Sequence, residues 1–335
     1  MKNLIVKILK FLVPICIGAY LVWYMVSLIL AQNQEEFWNT IQSMNYGWIF
    51  LSLAIGLMSH MIRAHRWKYL LEPLGYKTKF SNRYHATMVG YVVNMVLPRA
   101  GEASRAGVLV KTNDLSFSKT FGTILAERVV DVVMLGIIGL LTVALSFKDF
   151  ETLYNSLLVD NPKKEPMSVY LFLSAFLISG IIIVFIIIKF KGIRDKLFNF
   201  FNDLKSGVFS IFQSKHFGSF VFYSLAIWVL YVTYFGVCFF ALDEATGISL
   251  QGVLMAFIAG TIGVMLTPGG LGSYPIFVGT VISFYVYPES EGIQNNALAL
   301  ATVIWLSQTA FLILLGLVSL FYISRNFPTN HASNF

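Results

Sequence analysis

The sequence of 335 residues has little charge: only 12% of its residues are Asp, Glu, Lys or Arg, whereas 57% are hydrophobic. In an average soluble protein about a quarter of the residues are charged. This composition excludes a water-soluble domain of any size. The sequence therefore predicts a chain whose solvent is the lipid bilayer.

Cysteine is also scarce, and the common catalytic signatures are missing. Cys16 and Cys238 are the two cysteines, and both fall in apolar stretches, so neither a disulfide framework nor a thiolate metal site is indicated. His60 has no cysteine or acidic residue at ligand spacing. The sequence has no P-loop lysine, nucleotide-binding glycine loop or serine nucleophile elbow. We expect no metal, no cofactor and no direct ATP hydrolysis by this chain.

Long apolar runs dominate the remaining sequence. A helix needs about 20 apolar residues to cross the hydrocarbon layer. On this basis six spans are predicted, at residues 11–30, 47–63, 120–146, 168–189, 217–241 and 294–323. Two further apolar pieces, 84–98 and 252–287, contain Pro and Gly breaks and are predicted to be re-entrant segments or helical hairpins. Segments 33–46 and 191–215 are predicted to be interfacial helices.

The basic residues predict the orientation. Lys and Arg are retained in cytoplasmic loops. With the N-terminus inside, twenty of the 24 Lys and Arg residues fall on the cytoplasmic side, Lys148, Lys163 and Lys164 fall outside, and Arg128 lies within a span. The pattern predicts a multi-pass protein of the cytoplasmic (inner) membrane with both termini in the cytoplasm. Basic clusters of this kind fit a membrane, and no nucleic-acid partner is expected.

A weak internal repeat indicates the architecture. An offset of 170 residues aligns 85–105 with 255–275 and matches Ala, Gly, Met and Pro at four positions. Each half has three spans and one broken segment, and an odd number of crossings inverts the second half relative to the first. We therefore predict an all-α integral membrane protein of two inverted repeats, as in many secondary transporters. The single domain 1–335 divides into pseudo-repeats 1–150 and 165–325, followed by a short cytoplasmic tail, 326–335.

The second broken segment carries the run T-P-G-G-L-G-S-Y-P at 267–275. Proline removes N–H groups and glycine frees the backbone, so two half-helices are expected to meet here. The N-terminus of the later one would suit an anionic group such as a lipid phosphate. The alternative is a kinked hairpin packed closely through glycine.

The first broken segment, 94–105, is more polar. Asn94 lies in its apolar approach, and Glu102 has the spacing to order Arg99 or Arg105, whose guanidinium groups could bind phosphate. The alternative is that both arginines mark a cytoplasmic helix end.

Ionisable residues lie inside the span at 120–146. Charged groups there are costly unless paired or hydrated and commonly mark a transport pathway. Arg128 and Asp131, at i and i+3, are predicted to pair, which leaves Glu127 for a substrate amine or a transported proton. The alternative is a structural ion pair that holds this span to the basic loop.

The second span ends in a basic and aromatic cluster, which consists of Arg63, His65, Arg66, Trp67 and Tyr69. Such clusters commonly anchor a span at the membrane interface. The other interpretation is that the cluster attracts anionic headgroups.

In these four places the chain resembles the flippase-like transmembrane domain of lysylphosphatidylglycerol synthases and its stand-alone relatives. The matching segments are 63–70, 94–105, 127–131 and the T-P-G-G-L-G run at 267–272, and the resemblance covers nearly the whole chain. It implies that the domain moves an aminoacylated phospholipid between leaflets, while a separate cytoplasmic domain makes that lipid. This sequence stops at Phe335, so no transferase domain is expected. A similar domain in proteins of polyprenol-phosphate sugar pathways leaves the headgroup open.

The working hypothesis is a lipid flippase with a headgroup cavity between two inverted halves. Arg99, Arg105 and the backbone at 269–272 would hold phosphate, and Glu127 with Asp131 would meet a cationic headgroup or carry a proton. The candidate binding residues lie in the four segments and are Arg63, Arg66, Asn94, Arg99, Glu102, Arg105, Glu127, Arg128, Asp131, Thr267, Pro268, Gly269, Gly270, Gly272, Ser273 and Tyr274.

Two alternatives from other classes stay open. One is a membrane-embedded glycosyl- or aminoacyl-transferase that uses Glu102 or Glu127 as its catalytic carboxylate, although an enzyme is not the preferred prediction. The other is a non-transporting partner of a lipid-modifying enzyme. The expected partners are a membrane phospholipid or a polyprenyl-phosphate lipid, a lipid-modifying enzyme and a second copy of the chain.

Overall fold

A computed structural model of the protein describes residues 2–31, 33–97, 100–113, 115–147, 149, 152, 216–290 and 292–327, the side chains of 2–14 and of Val96 excepted. Every regular element among these residues is helical, which confirms the all-α prediction for them. The α-helices are α1 (Lys2–Ala31), α2 (Gln34–Ser43), α3 (Tyr46–Arg66), α4 (Lys68–Leu71), α5 (Phe80–Val96), α6 (Gly101–Asn113), α7 (Phe117–Leu145), α8 (Phe217–Val237), α9 (Leu250–Leu266), α10 (Ser273–Val286) and α11 (Asn295–Asn326).

Four helical segments of the described chain are long and apolar enough to cross a bilayer. They are Tyr46–Leu74, Phe117–Leu145, Phe217–Ala241 and Asn295–Asn326. The pair Ile15–Ala31 and Gln34–Ser43, bent by 100°, passes the same test when it is taken as one span. Five of the six predicted spans fall on these segments, because the thickness of the hydrocarbon layer sets the length of an apolar helix.

The structure describes only some of the other predicted helices. The predicted interfacial segment 33–46 contains α2, which follows α1 at the sharp bend. The predicted span 168–189 and the predicted interfacial helix 191–215 lie outside the described residues. The inverted relation between the pseudo-repeats, together with their boundaries, stays a prediction for the same reason.

Two helical hairpins interrupt the series of long helices. The first joins α5 to α6 and the second joins α9 to α10, and no helix in either hairpin exceeds 17 residues. A helix of that length falls short of the roughly 20 residues needed to cross. The predicted breaks in 84–98 and 252–287 are confirmed by these two hairpins.

The long helix α11 contacts both hairpins, through α5 on one side and α10 on the other. The approach to α5 is close, because a Cβ atom on Gly316 would lie 2.6 Å from Cβ of Val92. Small residues let helices approach in this way inside membranes, where dispersion contacts rather than the hydrophobic effect hold helices together. The hairpins are thus packed as parts of one helical body.

The first hairpin extends beyond the predicted apolar piece 84–98. Gly101–Asn113 forms α6, a helix that was not predicted, and it packs against α5 and α7. Arg105 on α6 is buried. The apolar-length rule missed this helix because its buried face contains an arginine, whose ion-pair partner Glu127 lies on another helix.

Candidate functional site

A cluster of five charged side chains is buried between α3, α6 and α7. It consists of Arg63 and Arg66 on α3, Arg105 on α6, and Glu127 and Asp131 on α7. We refer to these five residues as the ion network. An unpaired charge costs several kcal/mol inside a membrane protein, so the pairing within the network decides whether it is stable.

Glu127 is in contact with all three arginines. Its Oε1 atom accepts hydrogen bonds from Arg66 Nη2 at 2.7 Å and from Arg63 Nη1 at 3.3 Å. Its Oε2 atom lies 2.9 Å from Arg105 Nη1, an ion pair that is close but not aligned as a hydrogen bond. With 1% of its side chain exposed, Glu127 is the centre of the network.

Asp131 lies one helical turn further along α7 and binds the same two arginines of α3. Its Oδ2 atom accepts a hydrogen bond from Arg63 Nη1 at 2.7 Å, and its Oδ1 atom accepts one from Arg66 Nη2 at 3.1 Å. Arg128 Nη1 is 3.7 Å from Oδ2. The i, i+3 spacing places both arginines on one face of α3, and the i, i+4 spacing places both carboxylates on one face of α7. These two faces meet, so each carboxylate contacts both arginines of α3.

Side chains of α8 and the ring of Trp67 complete the surroundings of the arginines. Tyr231 Oη accepts a hydrogen bond from Arg63 Nε at 3.1 Å, and Ser224 Oγ accepts one from Arg66 Nη1 at 2.9 Å. The guanidinium carbon of Arg105 lies 3.9 Å from the centre of the Trp67 ring. Such cation–π stacking contributes about 2 kcal/mol when water is excluded.

The break of the first hairpin is held by Asn94. Its Oδ1 atom accepts a hydrogen bond from the Gly101 backbone N–H at 2.8 Å, and its Nδ2 atom is 3.4 Å from both carboxylate oxygens of Glu102. Glu102 also pairs with Arg128, whose Nη2 atom is 2.9 Å from Oε1. Side-chain exposure is 20% for Glu102 and 40% for Arg128, so this pair connects the buried network to the surface.

These contacts correct three expectations about the candidate residues. The prediction that Glu127 is free is wrong, because three arginines surround it. Glu102 orders Arg128 rather than Arg105. Arg63 and Arg66, which were assigned either to interfacial anchoring or to headgroup attraction, are buried in ion pairs.

The sequence rules failed here because helical spacing shows partners only within one helix. Arg63 and Glu127 are 64 residues apart in the sequence. Ser224 and Tyr231 were missed as network residues, and they had no distinguishing signal within an apolar span. Arg99 lies outside the described residues, so its predicted role in the first break stays a prediction.

The second break is satisfied by its own hydroxyl groups. Thr267 Oγ1 donates to the Leu271 carbonyl oxygen at 3.0 Å, and Ser273 Oγ donates to the Gly263 carbonyl oxygen at 2.7 Å. Trp305 Nε1 donates to the Gly269 carbonyl oxygen at 2.8 Å. These bonds are those of a closely packed hairpin, which was the alternative to phosphate binding at this place.

The other residues of the segment 267–275 are in contact with neighbouring helices. The short 3₁₀ turn Pro268–Gly270 contacts α1, α5 and α9. Gly270 lies against Trp305, and Tyr274 lies against Gly260 of α9. The contact with α5 shows that the first hairpin touches the break of the second. The charged side chains of the ion network lie near the first hairpin and not at the second break.

Two glycines of the second break give a matched test of its packing. Both have positive φ angles, 64° at Gly269 and 72° at Gly272. Alanine at Gly269 would meet nothing within 4 Å, whereas at Gly272 its Cβ atom would lie 2.7 Å from the Val22 backbone nitrogen of α1. We expect Gly269→Ala to lower the free energy of unfolding by about 1 kcal/mol through strain and Gly272→Ala by about 2–3 kcal/mol.

Unfolding of the purified variants in detergent, followed by loss of helical circular dichroism, measures both values. Equal losses in the two variants would show that α1 does not pack against this break.

Comparison with known proteins places the chain among membrane proteins. The family model described as the lysylphosphatidylglycerol synthase TM region matches residues 11–316, a range that includes every residue of the ion network. A UPF0104 membrane protein of Methanocaldococcus jannaschii is 27% identical over 133 residues, which is 39% of this chain and 36% of that protein. The chain thus matches little more than a third of that relative's length. No solved structure matches the chain.

Proposed function

This chain belongs to the family of the lysylphosphatidylglycerol synthase TM region, and we propose on that premise that it is a flippase-like transporter. Its substrate would be a phospholipid or a lipid-linked headgroup, aminoacylated or glycosylated, that moves between the leaflets of the cytoplasmic membrane. The ion network supports this proposal more than any other single feature. Ionisable groups inside a membrane protein mark pathways for polar substrates by default, because they are costly to keep there.

The distribution of exposure suggests where a headgroup enters. Exposure falls from Arg128 through Glu102 to Glu127, which is almost fully buried. A headgroup that meets Arg128 first can exchange hydrogen bonds with Glu102 and Asp131 while its acyl chains stay in the bilayer. The exposed pair would then act as the entrance and the buried network as the polar floor of the pathway.

The remaining parts of the proposal concern partners and placement. We propose that both termini lie in the cytoplasm, in accord with the distribution of Lys and Arg. The lipid partner is a phospholipid or a polyprenyl-phosphate lipid. A lipid-modifying enzyme would supply the substrate, and the chain would act as a transporter rather than as an enzyme, alone or as a homo-oligomer.

Leaflet transfer in vesicles tests the proposal. Purified protein is reconstituted with fluorescent phosphatidylglycerol or with a fluorescent polyprenyl phosphate, and a membrane-impermeant quencher reports the fraction in the outer leaflet over time. We expect faster transfer than in protein-free vesicles for at least one of the lipids. Transfer at the protein-free rate for both would contradict the proposal.

Arg128→Gln tests the entrance. It removes a partly exposed charge and should leave the buried network folded, since exposed ion pairs contribute roughly 0–1 kcal/mol to stability. We expect transfer to slow about tenfold, which corresponds to about 1.4 kcal/mol in the barrier. Lys111→Gln removes an exposed positive charge from α6 away from the entrance and should transfer lipid at the wild-type rate. Equal rates in the two variants would show that the headgroup does not pass Arg128.

A further inference from the structure

The ion network contains more positive than negative charge. Three buried arginines face two buried carboxylates, and the half-exposed pair of Arg128 and Glu102 adds one charge of each sign. The surplus is therefore one positive charge, and it lies in the buried part. A buried charge without a counter-ion costs several kcal/mol, so the described residues leave this site electrostatically incomplete.

Unused hydrogen-bond donors accompany the surplus charge. Arg105 Nε and Nη2 are buried and have no hydrogen-bond partner within the described part of the chain, and the same holds for Arg66 Nε. A buried donor without a partner costs about 1–3 kcal/mol, and more when it is charged. The donors on Arg105 are the Nε and Nη2 edge of the guanidinium fork, which is the edge that binds two oxygens of one oxyanion side by side.

We infer that the Nε and Nη2 edge of Arg105, with the surplus charge of the ion network behind it, binds the phosphate oxyanion of a lipid headgroup or of free phosphate. Because this names the ligand class of the same site, it rests on the proposed function. Trp67 stacks against the guanidinium group and fixes its plane, while Glu127 holds its Nη1 atom. The fork is thus fixed in place before the ligand arrives, which lowers the entropy lost on binding.

The same contacts argue against a cationic headgroup as the group that the network holds. Glu127 and Asp131 are each contacted by at least two arginines, so neither carboxylate has a free charge to offer an ammonium group. An ammonium group placed there would increase the surplus positive charge. The phosphate of a lipid, rather than an amine attached to it, is the part that this site would recognise.

Thermal stability of the full chain in maltoside micelles without phosphate tests the inference. A ligand that binds only the folded state raises the midpoint of thermal unfolding. The probes are inorganic phosphate, phosphatidylglycerol and diacylglycerol, which has no phosphate. We expect phosphatidylglycerol or inorganic phosphate to raise the midpoint and diacylglycerol to leave it unchanged. A rise with inorganic phosphate indicates a small-anion site, and a rise with phosphatidylglycerol alone indicates a lipid phosphate.

Arg105→Lys separates the fork from the charge. Lysine keeps the positive charge beside Glu127 but has no planar fork, so we expect binding of the stabilising probe to weaken roughly tenfold or more. Arg83→Lys is the matched control. Arg83 is also buried, but it donates to Thr78 and to the Ala64 carbonyl oxygen, so its replacement should lower stability and leave the response to the probe intact.

The possible results separate this inference from the proposed function. The inference would be overturned if neither phosphatidylglycerol nor inorganic phosphate raised the midpoint of wild type above that with diacylglycerol. An equal probe response in Arg105→Lys and wild type would also overturn it. If lipid transfer in vesicles persists in that case, the proposed function stands without it. If phosphate-dependent stabilisation is lost in Arg105→Lys but no lipid moves in vesicles, the binding site stands and the transport proposal fails.

Discussion

Replacement of Glu127 by glutamine is expected to lower the free energy of unfolding by about 3–5 kcal/mol, because it leaves three buried arginines with a single carboxylate, Asp131. Glutamine has nearly the same shape, so packing is preserved and the effect reports the lost charge. Unfolding of the purified variant by sodium dodecyl sulfate in mixed micelles, followed by circular dichroism, measures the change.

The control for this prediction is Glu102→Gln. Glu102 also pairs with an arginine, but it lies at the partly exposed edge of the site. Its replacement should therefore cost about 1 kcal/mol or less. Similar losses in Glu127→Gln and Glu102→Gln would show that burial of the network does not determine its energy.

A double substitution tests whether the loss comes from charge balance. Arg105→Gln combined with Glu127→Gln removes one charge of each sign, so the network keeps the wild-type surplus of one positive charge, whereas Glu127→Gln alone raises that surplus to two. Residues in one ion-pair network commonly couple by 0.5–3 kcal/mol. We expect the double variant to lose less free energy of unfolding than the two single variants lose in sum. A loss equal to that sum would argue against an ion pair between Arg105 and Glu127.

The membrane helices could be predicted from the sequence because one length governs them. Hydrocarbon thickness sets the number of apolar residues in a span, and spans such as 217–241 begin and end where polar residues interrupt the run. The two breaks could be predicted for a similar reason, since proline and glycine near positions 98 and 268 of the sequence favour an interruption of the helical hydrogen-bond ladder. These signals are local in the sequence.

The pairing inside the site could not be predicted because it is not local. Arg66 is 61 residues from Glu127 in the sequence, and its hydrogen bond to Ser224 spans 158 residues. Helical spacing places Arg63 with Arg66 and Glu127 with Asp131 on their own helix faces, but it does not show that these faces meet. The failure to predict α6 has the same origin, because the contacts that stabilise Arg105 inside the protein, with Glu127 and Trp67, come from other helices and from the turn after α3.

The close approach of α5 and α6 connects the fold to the proposed site. Asn94 and Gly90 on α5 both touch the start of α6, so the position of Glu102 and Arg105 depends on the distance between the two helices. Any side chain at Gly101 would move α6 away from α5. The geometry of the arginine fork therefore depends on a glycine that contacts neither carboxylate of the network.

Gly101→Ala is accordingly expected to lower the free energy of unfolding by about 3 kcal/mol or more. The added methyl group would meet backbone atoms, which cannot rotate away as a flexible side chain can, so overpacking is especially costly here. The added Cβ atom would overlap the Gly90 carbonyl oxygen and the Asn94 side chain, which holds the break through the Gly101 N–H. Gly107→Ala on the same helix is the matched control, because its Cβ atom would meet nothing within 4 Å.

The control should stabilise the protein slightly, by up to about 1 kcal/mol, because alanine favours a helix over glycine. Unfolding in detergent measures both variants, and a phosphate-binding measurement on Gly101→Ala adds a second readout. If the hairpin sets the position of Arg105, binding should weaken together with stability in Gly101→Ala and stay unchanged in Gly107→Ala. A destabilised Gly101→Ala that binds phosphate as wild type does would separate the hairpin from the site, because the fork would then hold its place without the close contact of α5 and α6.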